Sequence, residues 1–430
     1  MNILIIGTGY VGTTTALVFA EMGWKVTGLD TELRKIENLR QGLLYFYEPG
    51  LDEMLIKHTG SGRLQFTTDK AKAIRDNDVI FICVGTPSRP DGSADLRYVQ
   101  QVAEDIGEHM NGYKLIVNKS TVPVGTQERV TDWVREAQVH PHPYDVASNP
   151  EFLREGKALE DALHPERIVI GADSDHASGL LQQLYASINC PVIVTSPRTA
   201  ELIKYASNAF LAAKISFVNE LARLCDPLEV NIKEVALGMG LDSRIGPKFL
   251  QAGIGYGGSC FPKDVAALLL TAQELNVRLQ VLQHVVDVNQ TQYLYLLDKV
   301  RNRLGTLAHK KIALFGLAFK PDTDDIREAP AVRIIQTLLQ EEAEVRICDP
   351  VAQLPAELKV SSVAFSTSPE EVLDGADAVL LCTEWPMFRD LDWTRLKDRM
   401  SRPNLFDGRN FLDAGRMTEL GFYYEGIGYK

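Results

Sequence analysis

The chain has 430 residues, 45% of them hydrophobic and 24% charged. That is the balance of a soluble globular protein, and the length exceeds what one core holds, so two or three domains are expected. A formal net charge of −12 argues against an electrostatic grip on nucleic acid, while leaving room for a locally basic site that takes an anionic small molecule. No segment approaches the roughly 18 consecutive apolar residues of a spanning helix, so no membrane role is expected. The first seven residues lack the basic leader of a signal peptide. The cysteines at 83, 190, 225, 260, 348 and 382 are scattered without ligand-type spacing, which predicts no metal site and reduced thiols in a cytoplasmic protein.

Asn2-Ile-Leu-Ile-Ile-Gly7 reads as a buried parallel strand. Gly7-Thr-Gly9-Tyr-Val-Gly12 follows, then a helix from Thr13 through Met22, then a second strand ending at Asp30. This is the strand–GxGxxG–helix–strand–acid order of a dinucleotide-binding unit. The glycines serve the tight turn, the close approach of a pyrophosphate and helix–strand packing. Asp30, 18 residues after Gly12, stands where ribose hydroxyls lie, and an acid there repels a 2′-phosphate, which favours NAD over NADP. Two further strands, Asp78-Val-Ile-Phe-Ile-Cys-Val84 and Lys114-Leu-Ile-Val-Asn118, end in turns that carry Thr86 and Thr121. Ligands of such sheets bind beyond the carboxyl ends of strands, which places both threonines beside cofactor or substrate. A threonine at a strand end is more often a simple cap.

From Thr199 a long stretch has helical apolar spacing without glycine or proline. Lys204 and Asn208, four residues apart, share one face among alanines and leucines. A desolvated lysine there suits a base or oxyanion partner; the plainer alternative is a lysine that snorkels to water. Next comes Gly253-Ile-Gly-Tyr-Gly-Gly-Ser-Cys-Phe-Pro-Lys-Asp264, a glycine-rich run that breaks into a helix with Pro262 shaped for its start. Cys260 therefore lies at a helix N-terminus beside Lys263, and both favour a nucleophilic thiolate. Alone, that stretch is equally compatible with a small buried thiol in a turn.

The last third repeats the first. Lys311-Ile-Ala-Leu-Phe-Gly316 echoes the opening strand, Ala343-Glu-Val-Arg-Ile-Cys-Asp349 is a strand ending in an acid, and Asp377-Ala-Val-Leu-Leu-Cys-Thr-Glu-Trp-Pro386 parallels residues 78–87. The copy lacks GxGxxG and carries Lys320 and Arg327 after its first strand, which suits a different phosphorylated ligand. A solvated charged loop is the alternative. The expected fold is α/β, with two Rossmann-like doubly wound domains joined by a long central helical segment. Expected boundaries are 1–198 for the NAD-binding domain, 199–300 for the central helical segment with the cysteine loop, and 301–430 for the second Rossmann-like domain.

Taken together, Gly7-Thr-Gly-Tyr-Val-Gly12, Tyr47-Glu-Pro-Gly-Leu51, Ser120-Thr-Val-Pro-Val-Gly-Thr126, Asn149-Pro-Glu-Phe-Leu-Arg-Glu-Gly156, Arg244-Ile-Gly-Pro-Lys-Phe-Leu250, the Cys260 run, residues 319–327 and Asp407-Gly-Arg-Asn410 make the chain resemble the nucleotide-sugar 6-dehydrogenases over nearly its whole length. The resemblance implies oxidation of a sugar C6 alcohol to the acid with two NAD, UDP-glucose being the implied sugar nucleotide. It implies that Cys260 is the nucleophile of a thiohemiacetal and thioester, which divides one hard oxidation into easier steps. Lys204 is implied as base or oxyanion stabiliser with Asn208 beside it, Asp264 and Thr121 as holders of the water, and Glu151 as an aid to hydrolysis. For NAD it points to Gly7, Gly9, Val11, Gly12, Asp30, Lys35, Thr86, Thr121, Glu155, Lys263 and Arg327. For the sugar nucleotide it points to Glu151, Phe152, Leu153, Arg154, Glu155, Lys204, Asn208, Phe249, Leu250, Gln251, Ala252, Gly253, Tyr256, Gly257 and Lys320, with Arg409 as a further nucleotide-side candidate. A homodimer through the central helix is implied, with Arg244 reaching the neighbouring site. Leu44-Tyr45-Phe46 and Gln251 depart from the family pattern.

Three other readings remain at this point. A sister 6-dehydrogenase of GDP-mannose or a UDP-N-acetylhexosamine would use the same cysteine, since one substituent is worth only a few kcal/mol in a pocket. A one-step hydroxyacid dehydrogenase would need no thiol. A nucleotide-sugar sensor would bind without turnover.

Overall fold

The computed structural model describes residues 1–430. The polypeptide divides into two compact units, one of residues 1–207 with 266–275 and one of residues 208–265 with 276–430.

The first unit is built on an eight-stranded sheet. Its strands are β1 (Asn2–Ile6), β2 (Lys25–Leu29), β3 (Leu64–Thr67), β4 (Val79–Ile82), β5 (Lys114–Asn118), β6 (Tyr144–Ser148), β7 (Ile168–Ala172) and β8 (Val192–Thr195). They lie in the order β3-β2-β1-β4-β5-β6-β7-β8. All neighbouring pairs are parallel except β6 with β7. The central strands are continuous apolar runs because both faces are covered. Ile3, Ile5, Phe81 and Val117 point to one side and pack with Leu17 and Phe19 of the helix Tyr10–Glu21. Leu4, Ile6, Ile80, Ile82 and Ile116 point to the other and pack with Val99, Ile106 and Val130. The strand order reverses between β1 and β4, and a crevice at such a switch point is where α/β sheets bind ligands.

The second unit holds a six-stranded parallel sheet of β9 (Lys311–Phe315), β10 (Glu344–Cys348), β11 (Val363–Ser366), β12 (Ala378–Leu381), β13 (Asn404–Asp407) and β14 (Tyr423–Gly426). Its order is β11-β10-β9-β12-β13-β14. Counted from each first strand, this is the same 3-2-1-4-5-6 order as the first six strands of the other sheet, so the repeat read from sequence is a repeat of topology. The copies diverge at the ligand end. Gly316 has φ 94°, and its N–H donates to the Cys348 carbonyl at 2.7 Å, as Gly7 does to Leu29 at 2.8 Å. In the second copy the acid turns inward: fully buried Asp349 accepts from the N–H groups of Leu317 (2.7 Å) and Ala318 (3.1 Å) and from the Trp385 indole (3.3 Å). Asp349, unlike the partly exposed Asp30, has no face open to a ligand.

The helix Pro197–Leu228 begins in the first unit, and Glu201 anchors its first turns. Glu201 is buried and accepts from the N–H groups of Gly125 (2.7 Å) and Gln127 (2.9 Å), at the start of the helix Thr126–Ala137. Burial pushes its carboxyl up to about 7, although these N–H groups pull the other way. The native pKa therefore lies above that of an unfolded chain, and the native state gives up stability as pH rises through the window from about 4.5 to 7, by about 3 kcal/mol in all. A Glu201→Gln protein stays neutral throughout. Denaturant melts should show its stability gaining on wild type as pH is raised across that window, and a gap that does not change with pH would rule this out.

Candidate active site

The glycine-rich turn joins β1 to the helix Tyr10–Glu21. Gly7 has φ 92°, and a side chain there would press within 2.9 Å of the Cys83 and Val84 backbone. A Cβ on Gly12 would lie 1.9 Å from the Gly7 carbonyl oxygen, which is why helix and turn pack so closely only with glycine. Gly9, the N-cap, would place a Cβ where no atom lies within 4 Å, so the turn is open on the side a phosphate approaches. Asp30 follows β2, accepts the Thr8 N–H (3.0 Å) and hydroxyl (3.1 Å) through one oxygen and the Glu32 N–H (3.1 Å) through the other. Lys35 pairs with Glu32 at 2.9 Å and lies 5.3 Å from the centre of the Tyr45 ring. Thr86, past β4, donates its hydroxyl to the Thr121 carbonyl at 2.8 Å, which joins the two strand-end loops. Val11 is half-buried in the first turn of the helix. These residues fit a dinucleotide: an open N-terminal turn for the pyrophosphate and a carboxylate at the end of β2 for ribose hydroxyls.

A buried ion pair lies in the same unit. Lys204 Nζ donates to Glu151 Oε1 at 2.9 Å, and the side chains are 3% and 5% exposed. Burial works to raise the Glu151 carboxyl, but Lys204, the Leu153 N–H and Lys119 outweigh it and hold it below its ordinary value. Phe152 closes the pair, with the Lys204 ammonium 5.4 Å and the Arg167 guanidinium 3.9 Å from its ring centre. Arg154 is held by Asp161, and Glu155 is half-buried beside it. Sequence reasoning missed Lys119, which donates to Asn149 Oδ1 at 3.0 Å; Tyr185 donates to the same oxygen at 2.6 Å. Burial pushes the Lys119 ammonium down to about 8; Cys83 and Glu151 draw it up and Lys204 draws it further down. The available signal was its place, a lysine directly after an apolar strand and before Ser120-Thr121.

In the second unit Cys260 stands directly before the helix Phe261–Glu274, and its carbonyl accepts the Asp264 N–H at 2.9 Å. The Asp264 carboxylate, 1% exposed, is held by the Asn208 amide (2.6 Å) and the Lys263 ammonium (2.6 Å). Cys260 is partly exposed. The other five cysteines have thiols raised by burial, to about 12 for Cys83, Cys348 and Cys382. None of the others heads a helix, the setting that favours a thiolate.

The loop before Cys260 is held from beneath. Gly253 donates to Asn219 (2.8 Å) and accepts from Gln292 (2.8 Å), while Asn289 takes the Tyr256 N–H and returns a bond to its carbonyl. A Cβ on Gly257 would lie 2.3 Å from the Glu328 carbonyl oxygen. Arg409 ties the loop to strand ends, donating to the carbonyls of Gly255 (3.1 Å), Phe319 (2.9 Å) and Cys382 (2.7 Å). Buried Asp407 in turn fixes Arg409, accepting its N–H (3.0 Å) and those of Phe411 and Leu412 (2.8 Å each). Leu250 and Ala252 are buried, Phe249 adopts φ 65°, and Gln251 is exposed. Lys320 lies 5.4 Å from the Phe319 ring centre, and Arg327 is paired with Asp325 at 2.7 Å. Arg244 is set apart on the surface, 87% exposed and bound to Asp242. Within their units, then, the structure groups Gly7, Asp30, Thr86 and Thr121 at the ends of β1, β2, β4 and β5, joins Glu151 to Lys204, and joins Asn208 and Lys263 to Asp264.

Comparisons with known proteins identify the family. Family models described as the UDP-glucose/GDP-mannose dehydrogenase family match in three parts: the NAD binding domain at residues 1–189, the central domain at 198–291 and the UDP binding domain at 313–414. The UDP-glucose 6-dehydrogenase TuaD of Bacillus subtilis is 44% identical over 99% of this chain and 93% of its own length. A UDP-glucose 6-dehydrogenase of Pseudomonas aeruginosa is 44% identical over 100% and 97%. A solved UDP-glucose dehydrogenase from Pyrobaculum islandicum superposes with a TM-score of 0.92 at 40% identity, covering 100% of this chain and 98% of that one. With all three domains matched in order on two Rossmann-like sheets, the chain belongs to the UDP-glucose/GDP-mannose dehydrogenase family.

Proposed function

We propose that the protein oxidises UDP-glucose to UDP-glucuronate in two NAD-dependent steps through a covalent bond to Cys260. The observation that carries this reading is the cluster at the head of the helix Phe261–Glu274, where Cys260 caps the helix over a carboxylate fixed by Asn208 and Lys263. A one-step alcohol dehydrogenase needs no such thiol. Identity of 40–44% over full length to proteins named for UDP-glucose favours that sugar over GDP-mannose or a UDP-N-acetylhexosamine. The first copy of the fold supports the NAD site, and the second, whose acid Asp349 is sealed beneath Trp385, supports the nucleotide-sugar role of Lys320 and Arg409.

Bound NAD supplies the hydride acceptor, and two molecules are reduced per sugar. Lys204 holds the C6 oxygen and takes part in removing its proton, its ammonium held in place by Glu151. The resulting aldehyde receives the Cys260 sulfur, giving a thiohemiacetal whose oxygen the Asn208 amide steadies. Loss of the second hydride leaves a thioester. On the family resemblance the attacking water falls to Asp264 and Thr121, with Glu151 aiding hydrolysis; cleavage of the carbon–sulfur bond returns the thiol and frees the carboxylate. The balance is alcohol plus two NAD⁺ and one water to carboxylate, two NADH and three protons. With UDP-glucose limiting, the yield should be two NADH per sugar, and Cys260→Ser should stall before free acid forms. One NADH per sugar would break the covalent scheme, and turnover with only GDP-mannose or a UDP-N-acetylhexosamine would move the substrate.

We also propose a homodimer along the long helix. Phe210, Phe217 and Leu224 recur every seven residues and are 67%, 51% and 54% exposed, and Leu228 extends the stripe. Such a stripe marks a protein contact, and a two-fold pairs it with its own copy. Arg244, exposed near this stripe in sequence, is the residue proposed to reach the neighbouring site. Sedimentation should give a dimer for wild type and a monomer for Phe210→Glu/Phe217→Glu; a monomeric wild type would contradict the assignment.

A further inference from the structure

The Tyr47-Glu-Pro-Gly-Leu51 motif has no role in the chemistry above, yet its neighbourhood joins both ligand-facing parts of the first unit. Three side chains from residues 45–48 reach the glycine-rich turn or the segment that carries Glu151. Tyr45 donates its hydroxyl to the Thr8 carbonyl inside the turn. Phe46 packs on Tyr10, ring centres 5.2 Å apart. Glu48, 3% exposed, spends both carboxylate oxygens: Oε1 accepts the Ala158 N–H at 2.7 Å, and Oε2 accepts the Gly156 N–H at 2.6 Å and the Tyr10 hydroxyl. Tyr10 closes the triangle by accepting the Gly156 N–H at 3.0 Å. A buried carboxylate with this many donors is costly to disturb, because each donor would be left unsatisfied. Tyr10 belongs to the GxGxxG turn, and Gly156 ends the segment of Glu151, Phe152, Leu153, Arg154 and Glu155.

We propose that Glu48 is a positioning residue: with Tyr45 and Phe46 it clasps the cofactor turn to the 151–158 segment, so that bound cofactor and bound nucleotide sugar each strengthen the other's binding. This rests on the functional reading above, in which the turn takes NAD and the segment takes UDP-glucose. A ligand that orders one side of the clasp also orders the other, and the coupling is reciprocal by linkage.

The test uses the whole protein with NADH and UDP-glucose, a pair that binds without forward turnover. NADH affinity is titrated by its fluorescence with and without saturating UDP-glucose. In wild type UDP-glucose should tighten NADH by about fivefold or more, the usual lower range of coupling between sites. In Glu48→Ala that factor should fall to about one, within the same range of reference. Glu48→Gln keeps one acceptor oxygen and should retain part of it. If Glu48→Ala does not fold, Tyr10→Phe removes one side of the triangle while leaving the backbone bonds of Glu48, and its coupling should also drop. A purely structural role for Glu48 would lower the melting temperature without changing the coupling factor. A wild type that binds both ligands independently, or folded variants that keep the full coupling, would overturn the clasp alone. A wild type that binds NADH but no UDP-glucose would overturn the functional reading and the clasp with it.

Discussion

The buried Lys204–Glu151 pair is the constraint on which the proposed chemistry of the first unit depends. Two opposite charges, each at most 5% exposed, lie 2.9 Å apart at the junction of a strand-end segment and a long helix. Desolvation of such ions is recovered only when geometry is good and remaining lone pairs are met, as the Leu153 N–H does here; stripping away one partner typically costs about 3–5 kcal/mol. The pair therefore fixes the ammonium in space. Glu201, one turn earlier, caps the helix Thr126–Ala137, and Asn208, one turn later, holds Asp264. A single unbroken helix thus carries three polar groups in register on four-residue or three-residue steps.

Duplication explains the division of labour. Both sheets have the same strand order and the same glycine after the first strand. In the first, Asp30 bonds Thr8 at the lip of the turn and is partly exposed to a ligand. In the second, Asp349 is sealed under Trp385, and the strand ends instead support the glycine-rich loop through Arg409 and Asp407. One copy keeps the dinucleotide crevice, and the other has become a platform for the loop that ends in Cys260.

What was legible in the sequence follows the physics of each feature. Buried parallel strands are unbroken apolar runs closed by glycine or proline turns, so Lys114–Asn118 is legible at its observed bounds, and the run Lys311–Gly316 contains the strand Lys311–Phe315. The strand β8 was not: Val192, Ile193 and Val194 are 39–47% exposed at the sheet edge, so no buried run announces it. The turn from parallel to antiparallel at β6 and β7 leaves no local signal either. Cys260, Asp30 and the glycines are marked by local motifs. Glu48 lies in a legible motif, but what it and Glu201 bind was not legible, because their partners lie 108 and 76 residues away along the chain, and spacing carries no information about such pairs.

The covalent route through Cys260 is tested most directly by rapid acid quench during turnover with UDP-glucose and NAD, followed by mass analysis of the peptide that contains Cys260. The account predicts that this peptide gains the mass of a sugar-nucleotide acyl group in wild type and not in Cys260→Ser. An unmodified peptide throughout turnover, with acid still accumulating, would contradict it.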